Sequence, residues 1–142
     1  MIAADSSVVV AAFASWHELH EEALDVLDAG AALPAHAALE SYAVLTRLPP
    51  PLRVAPEPVV EFLAARFPGA WLTLDAAAAA ALPAELSGAA ISGGATYDGL
   101  IAATAREHGA TLVTLDARAA RAYEALAAPY ELVVRGKASQ PG

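Results

Sequence analysis

Apolar residues fall along the chain in two spacings. Short, largely apolar runs at residues 2–4, 31–33, 71–74, 111–115 and 131–134 read as buried strands. Between them apolar positions recur every three or four residues. That spacing predicts helices over residues 6–14, 16–29, 36–48, 56–67, 76–86, 97–108 and 118–127. Within 16–29, for example, Leu19, Ala23, Val26 and Leu27 share one face and the acids take the other. The breaks agree with this reading. Gly30 and Gly109 stop helices, the run Pro49-Pro50-Pro51 ends another, and Pro56 sits in a first turn where its missing N–H costs nothing. Pro83 marks a candidate break, Gly93-Gly94 a loop, Pro129 a stop, and residues 135–142 (RGKASQPG) a disordered tail.

Five strands alternating with helices predict an α/β fold: a parallel sheet covered on both faces, over residues 1–134 as one domain. Ligand sites in such sheets lie beyond the C-terminal ends of the strands. Asp5 and Asp116 both fall at such ends.

Composition narrows the chemistry. The 142 residues hold no cysteine, which excludes a disulfide framework, thiolate zinc and a cysteine nucleophile, and fits a reducing cytoplasm. No basic region precedes the first apolar run and no run reaches about 18 apolar residues, so neither a signal peptide nor a membrane span is expected. The formal net charge of −8 speaks against non-specific nucleic-acid binding. It is also what a carboxylate site produces when its cation is left out of the count.

Four acids sit in apolar surroundings, where an unpaired charge is costly. Asp5 is either a helix N-cap or a ligand at a strand end, with the Ser6 hydroxyl beside it. Glu40 lies mid-helix among Ala37, Leu39, Ala43, Val44 and Leu45, and faces either solvent or a site. Asp98 opens a helix after the paired glycines, as a cap or as a ligand. Asp116 has the same two readings, and Thr114 shares its strand face. The tripeptide Thr-Leu-Asp recurs at Thr73-Leu74-Asp75, so an N-cap explains a strand-end aspartate equally well. Oxygen-only ligands of this kind suit Mg²⁺ or Mn²⁺ and not zinc.

Four segments together resemble the PIN-domain ribonucleases of the VapC toxin type: residues 2–8 (IAADSSV), 39–47 (LESYAVLTR), 97–105 (YDGLIAATA) and 110–116 (ATLVTLD). The resemblance covers residues 1 to about 134. It implies a five-stranded sheet in the order 3-2-1-4-5, with Asp75 a cap away from the site. It makes Asp5, Glu40, Asp98 and Asp116 the catalytic and metal-binding quartet, with Ser6 and Thr114 assisting. It implies a Mg²⁺- or Mn²⁺-dependent endoribonuclease that cuts RNA phosphodiester bonds with an activated water, a VapB-type antitoxin that blocks the site, and a homodimer. Ala117 and Arg118 stand where some members carry a further acid or Asn, which puts a second metal in doubt.

Arg47, Arg118 and Arg121 are candidate phosphate contacts, or plain surface arginines. His17, His20, His36 and His108 form no convincing ligand pair. Two other α/β readings fail on single residues. A phosphoacceptor receiver needs paired acids after the first strand and a lysine near the last, but Ser6-Ser7 follow Asp5 and the one lysine, Lys137, is in the tail. A haloacid-dehalogenase-like phosphatase needs Asp-x-Asp, and Ser7 replaces the second Asp. A catalytically silent PIN-like binding module remains the alternative from another class, with a non-toxin PIN nuclease beside it.

Overall fold

The computed structural model describes residues 1–135; the expected tail beyond Arg135 lies outside the described residues. The elements run β1 (Ile2–Ala4), α1 (Ser6–Phe13), α2 (His20–Asp28), α3 (Ala35–Thr46), α4 (Pro56–Arg66), α5 (Ala76–Gly88), α6 (Thr96–Glu107), β2 (Thr111–Thr114), α7 (Ala117–Ala125) and β3 (Tyr130–Leu132). A 3₁₀ turn at Gly93–Ala95 leads into α6.

The sheet is parallel, in the order β1-β2-β3, with Ile2 opposite Thr111 and Thr114 opposite Leu132. This corrects the expected five strands: among the described residues three form. Residues 31–33 and 71–74 contribute single parallel bridges, Ala3 to Ala32 and Pro34 to Leu72. The reason is local. Gly30 ends α2 at φ +87°, and Pro34 follows after only three residues with no N–H to donate. The chain in between manages four ladder bonds: Ala4 N to Ala32 O, Ala32 N to Ile2 O, Leu72 N to Leu33 O and Ala35 N to Leu72 O, at 2.8–2.9 Å.

Helix ends follow the chemistry of capping. Asp5, Asp75 and Asp116 each accept a backbone N–H at the start of α1, α5 and α7. Asp75 is thus a cap, as expected. The helix expected from residue 16 begins only at His20. Residues 16–19 form turns instead, with Leu19 N donating to His17 Nδ1 at 3.0 Å. Pro83 does not break α5, which continues through it. Gly30 occupies a left-handed conformation with open space where a Cβ would be, so Gly30→Ala meets only backbone strain. It is expected to cost about 1 kcal/mol, seen as a lower urea midpoint at unchanged slope.

The core is built largely from small residues on both faces of the sheet. Ala3, Ala4, Leu112 and Val113 come from the strands, Val8, Val9 and Ala11 from α1, and Ile101, Ala102 and Ala105 from α6. Alanine-lined helices pack close, and that closeness brings α1, α3 and α6 together at the sheet's C-terminal edge. No helix among the described residues is long and apolar enough to cross a membrane.

Candidate active site

Asp5 leaves the end of β1 and turns the chain into α1. It is 2% exposed, and its carboxylate is held from three directions. Ser7 Oγ donates to Oδ1 at 2.5 Å, Val8 N donates to Oδ1 at 3.3 Å, and Tyr123 OH donates to Oδ2 at 2.7 Å. Burial pushes the Asp5 carboxyl up, and the hydroxyls of Ser7, Thr114 and Tyr123 oppose it. Asp5 is therefore a cap whose charge also acts on Glu40 and Asp98, so the cap does not compete with the ligand reading.

The expected helper, Ser6, is not the residue that holds Asp5. Ser7 does so, and it also accepts Leu115 N at 2.8 Å, tying α1 to the end of β2. Ser6 works on the other side, where its hydroxyl moderates Glu40. Thr114, fully buried, lies 3.3 Å from Ser7 Oγ and accepts Asp116 N at 3.0 Å, so it sets the turn that presents Asp116.

Glu40 lies half-buried in α3. Its carboxyl is pushed up by burial first and by the Asp5 charge second, against the pull of Arg47. Its Oε1 is buried without a hydrogen-bond partner. Asp98 sits in the first turn of α6 and caps nothing, since α6 begins two residues earlier. Its carboxyl is pushed up to about 6, by burial and then by Glu40, Asp116 and Asp5 in turn. Asp116 is exposed and accepts Arg118 N at 2.8 Å. Four acids spread over 111 positions of sequence thus act on one another in one field. As placed, no three of the acidic or histidine side chains among the described residues form a group that holds a metal ion.

Two features escaped the sequence. Tyr123 on α7 is fully buried, and burial first and Asp5's charge second hold its phenol protonated. His36 and Tyr97 stack with ring centroids 5.0 Å apart and planes at 12°, joining α3 to α6 one helical turn before Glu40 and one residue before Asp98. Arg47, Arg118 and Arg121 are all exposed on the helices that carry or follow the acids.

The sequence matches the PIN domain over residues 2–125. The chain belongs to the PIN-domain family. Its relatives place it among the VapC-type members. It is 50% identical over 133 residues to Ribonuclease VapC40 of Mycobacterium tuberculosis, in strains CDC 1551 / Oshkosh and ATCC 25618 / H37Rv, covering 94% of this chain and 99% of the relative. It is 42% identical over 124 residues to Ribonuclease VapC27 of strain ATCC 25618 / H37Rv, covering 87% and 90%. In this PIN domain the first and last acids, Asp5 and Asp116, stand at the ends of the paired strands β1 and β2.

Proposed function

We propose that this PIN domain, spanning residues 1–134, is an endoribonuclease dependent on Mg²⁺ or Mn²⁺, and the toxin of a type II toxin–antitoxin pair acting in the cytoplasm. The observation that carries the metal-site reading is the Asp98 carboxyl, raised to about 6 by burial first and then by the charges of Glu40, Asp116 and Asp5. Like charges gathered at a strand end call for a cation. The orphaned Glu40 Oε1 fits the same donor set, an oxygen aimed at nothing the protein supplies. Asp5, Glu40, Asp98 and Asp116 would hold the ion. When bound, Mg²⁺ or Mn²⁺ supplies a Lewis acid that lowers the pKa of a water and offsets charge on the phosphoryl oxygens.

The chain's own residues do the rest. Ser7, Val8 N–H and Tyr123 favour the ionised form of Asp5 against its burial and fix its direction. Thr114 orients Asp116, and Ser6 steadies Glu40. Arg47, Arg118 and Arg121 are assigned to RNA phosphates on the helices around the acids. With only eight cationic residues against 16 acids, binding is selective for a structured or short-motif RNA. The VapC-type relatives support the ribonuclease reading and a VapB-type antitoxin as partner; we assign the antitoxin to the face over the acids and a homodimer as the assembly. We read the bridges at Ala32 and Leu72 as vestiges of outer strands, which give the order 3-2-1-4-5.

That no three acidic or histidine side chains among the described residues form a metal-holding group favours a second reading, a catalytically silent PIN-like module. Calorimetric titration with Mn²⁺ separates the two. The nuclease reading expects saturable binding and RNA cleavage that stops in EDTA and returns with excess Mg²⁺ or Mn²⁺. No heat above buffer and no cleavage would leave the silent module.

A further inference from the structure

We propose that the cavity beside the acids, between the α1–α2 turn and the end of β2, is a nucleobase subsite in which His17 reads the base. The proposal rests on the ribonuclease reading and deepens it by naming where substrate specificity arises.

The cavity measures about 410 Å³, inside the range of about 300–1,000 Å³ typical of small-ligand pockets. Asp116 and Ser6 form one wall, so whatever fills it lies against the acidic cluster. Val10, Val44 and Leu115 give it apolar sides, and His17 and Glu18 face these from the turn. Among the described residues its lining has no lysine or arginine, and it carries two carboxylates. That chemistry disfavours a phosphate and suits a flat, neutral ring with polar edges.

His17 is set up as a donor. Leu19 N–H donates to His17 Nδ1 at 3.0 Å, so Nδ1 presents its lone pair. The neutral ring's proton is therefore on Nε2, free for an acceptor on a base. The bond lies within residues 16–19, the turn that precedes α2. Ser7 is already committed to Asp5 and Leu115, and the Glu18 carboxylate pairs with Arg135 at 3.3 Å. Trp16, the neighbour of His17, is 52% exposed, with its ring centroid 6.1 Å from the imidazole, and offers an apolar face for stacking on the same turn.

The test uses nuclear magnetic resonance titrations of the full chain with each of the four nucleoside 5′-monophosphates in Mg²⁺. Expected are shifts at Ser6, His17 and Leu115 that differ between bases. Affinity falls at least tenfold in His17→Ala and recovers in His17→Gln, whose amide also donates. Cleavage of a randomised RNA pool then shows His17→Ala losing base preference at one position next to the cut, through KM with kcat nearly unchanged. Shifts equal for all four bases, or unaltered in His17→Ala, overturn the subsite. Wild type that binds nucleotides here yet cuts no RNA keeps the subsite and refutes the ribonuclease reading. Wild type and His17→Ala that cut with one preference do the reverse.

Discussion

Asp98→Asn is expected to lower Mg²⁺-dependent RNA cleavage by at least about 100-fold while raising the thermal midpoint of the metal-free protein at pH 7. The two effects share a cause. The Asp98 carboxyl titrates near 6 in the folded chain against an ordinary 3.8, because burial and three other acids disfavour its charge. Between about pH 4 and pH 6 the folded protein holds a proton that the unfolded chain has released. Stability conferred by that proton is complete at low pH, falls as pH rises through this window, and is absent above it. Asparagine removes the repulsion together with the ligand. The midpoint in EDTA should therefore rise on mutation at pH 7 and stay unchanged at pH 4. Wild-type cleavage by the variant would refute the assignment; an unchanged midpoint at pH 7 would show that the acids do not share a field.

Tyr123→Phe tests the support beneath the site. The phenol donates to Asp5 Oδ2 at 2.7 Å, and Asp5 is almost wholly removed from water. Phenylalanine fills the same space and leaves that oxygen without a donor. A hydrogen bond to a charged group contributes about 1.5–3 kcal/mol, so the urea midpoint should fall by that equivalent with the slope unchanged. The Asp5 carboxyl also moves further up, since one of the groups holding it down is gone. Mn²⁺ affinity should consequently weaken more as pH is lowered, because the proton competes better for Asp5. Stability equal to wild type would mean that the phenol is no partner of the carboxylate.

The positions of the acids were legible because each interrupts an apolar pattern: Asp5 and Asp116 after strands, Glu40 among alanines and leucines, Asp98 behind paired glycines. What holds them was less so. Successive residues of a helix point about 100° apart, so at the start of α1 the pattern Ser6-Ser7 cannot say which hydroxyl turns toward Asp5 and which toward Glu40. The partner of Asp5 is 118 residues away in sequence, and the spacing of Tyr123 with Ala119 and Ala120 marks only a buried face of α7. The two outer strands were overestimated for a different reason. Apolar content predicts burial, but a ladder needs a run of N–H groups, and Pro34 withholds one. Gly99 is tied to its setting in a way the sequence does not reveal: a Cβ there would run into Leu86 Cδ2, so Leu86 on α5 would have to shift.

The pairing of β1 with β2 joins the two ends of translation. Asp5 leaves the ribosome early, while Thr111 and Tyr123, which give it a neighbouring strand and a proton donor, emerge far later. A nascent or prematurely released polypeptide ending before residue 111 has β1 without its partner and the first carboxylate without its phenol. An incomplete product therefore carries no assembled acidic cluster.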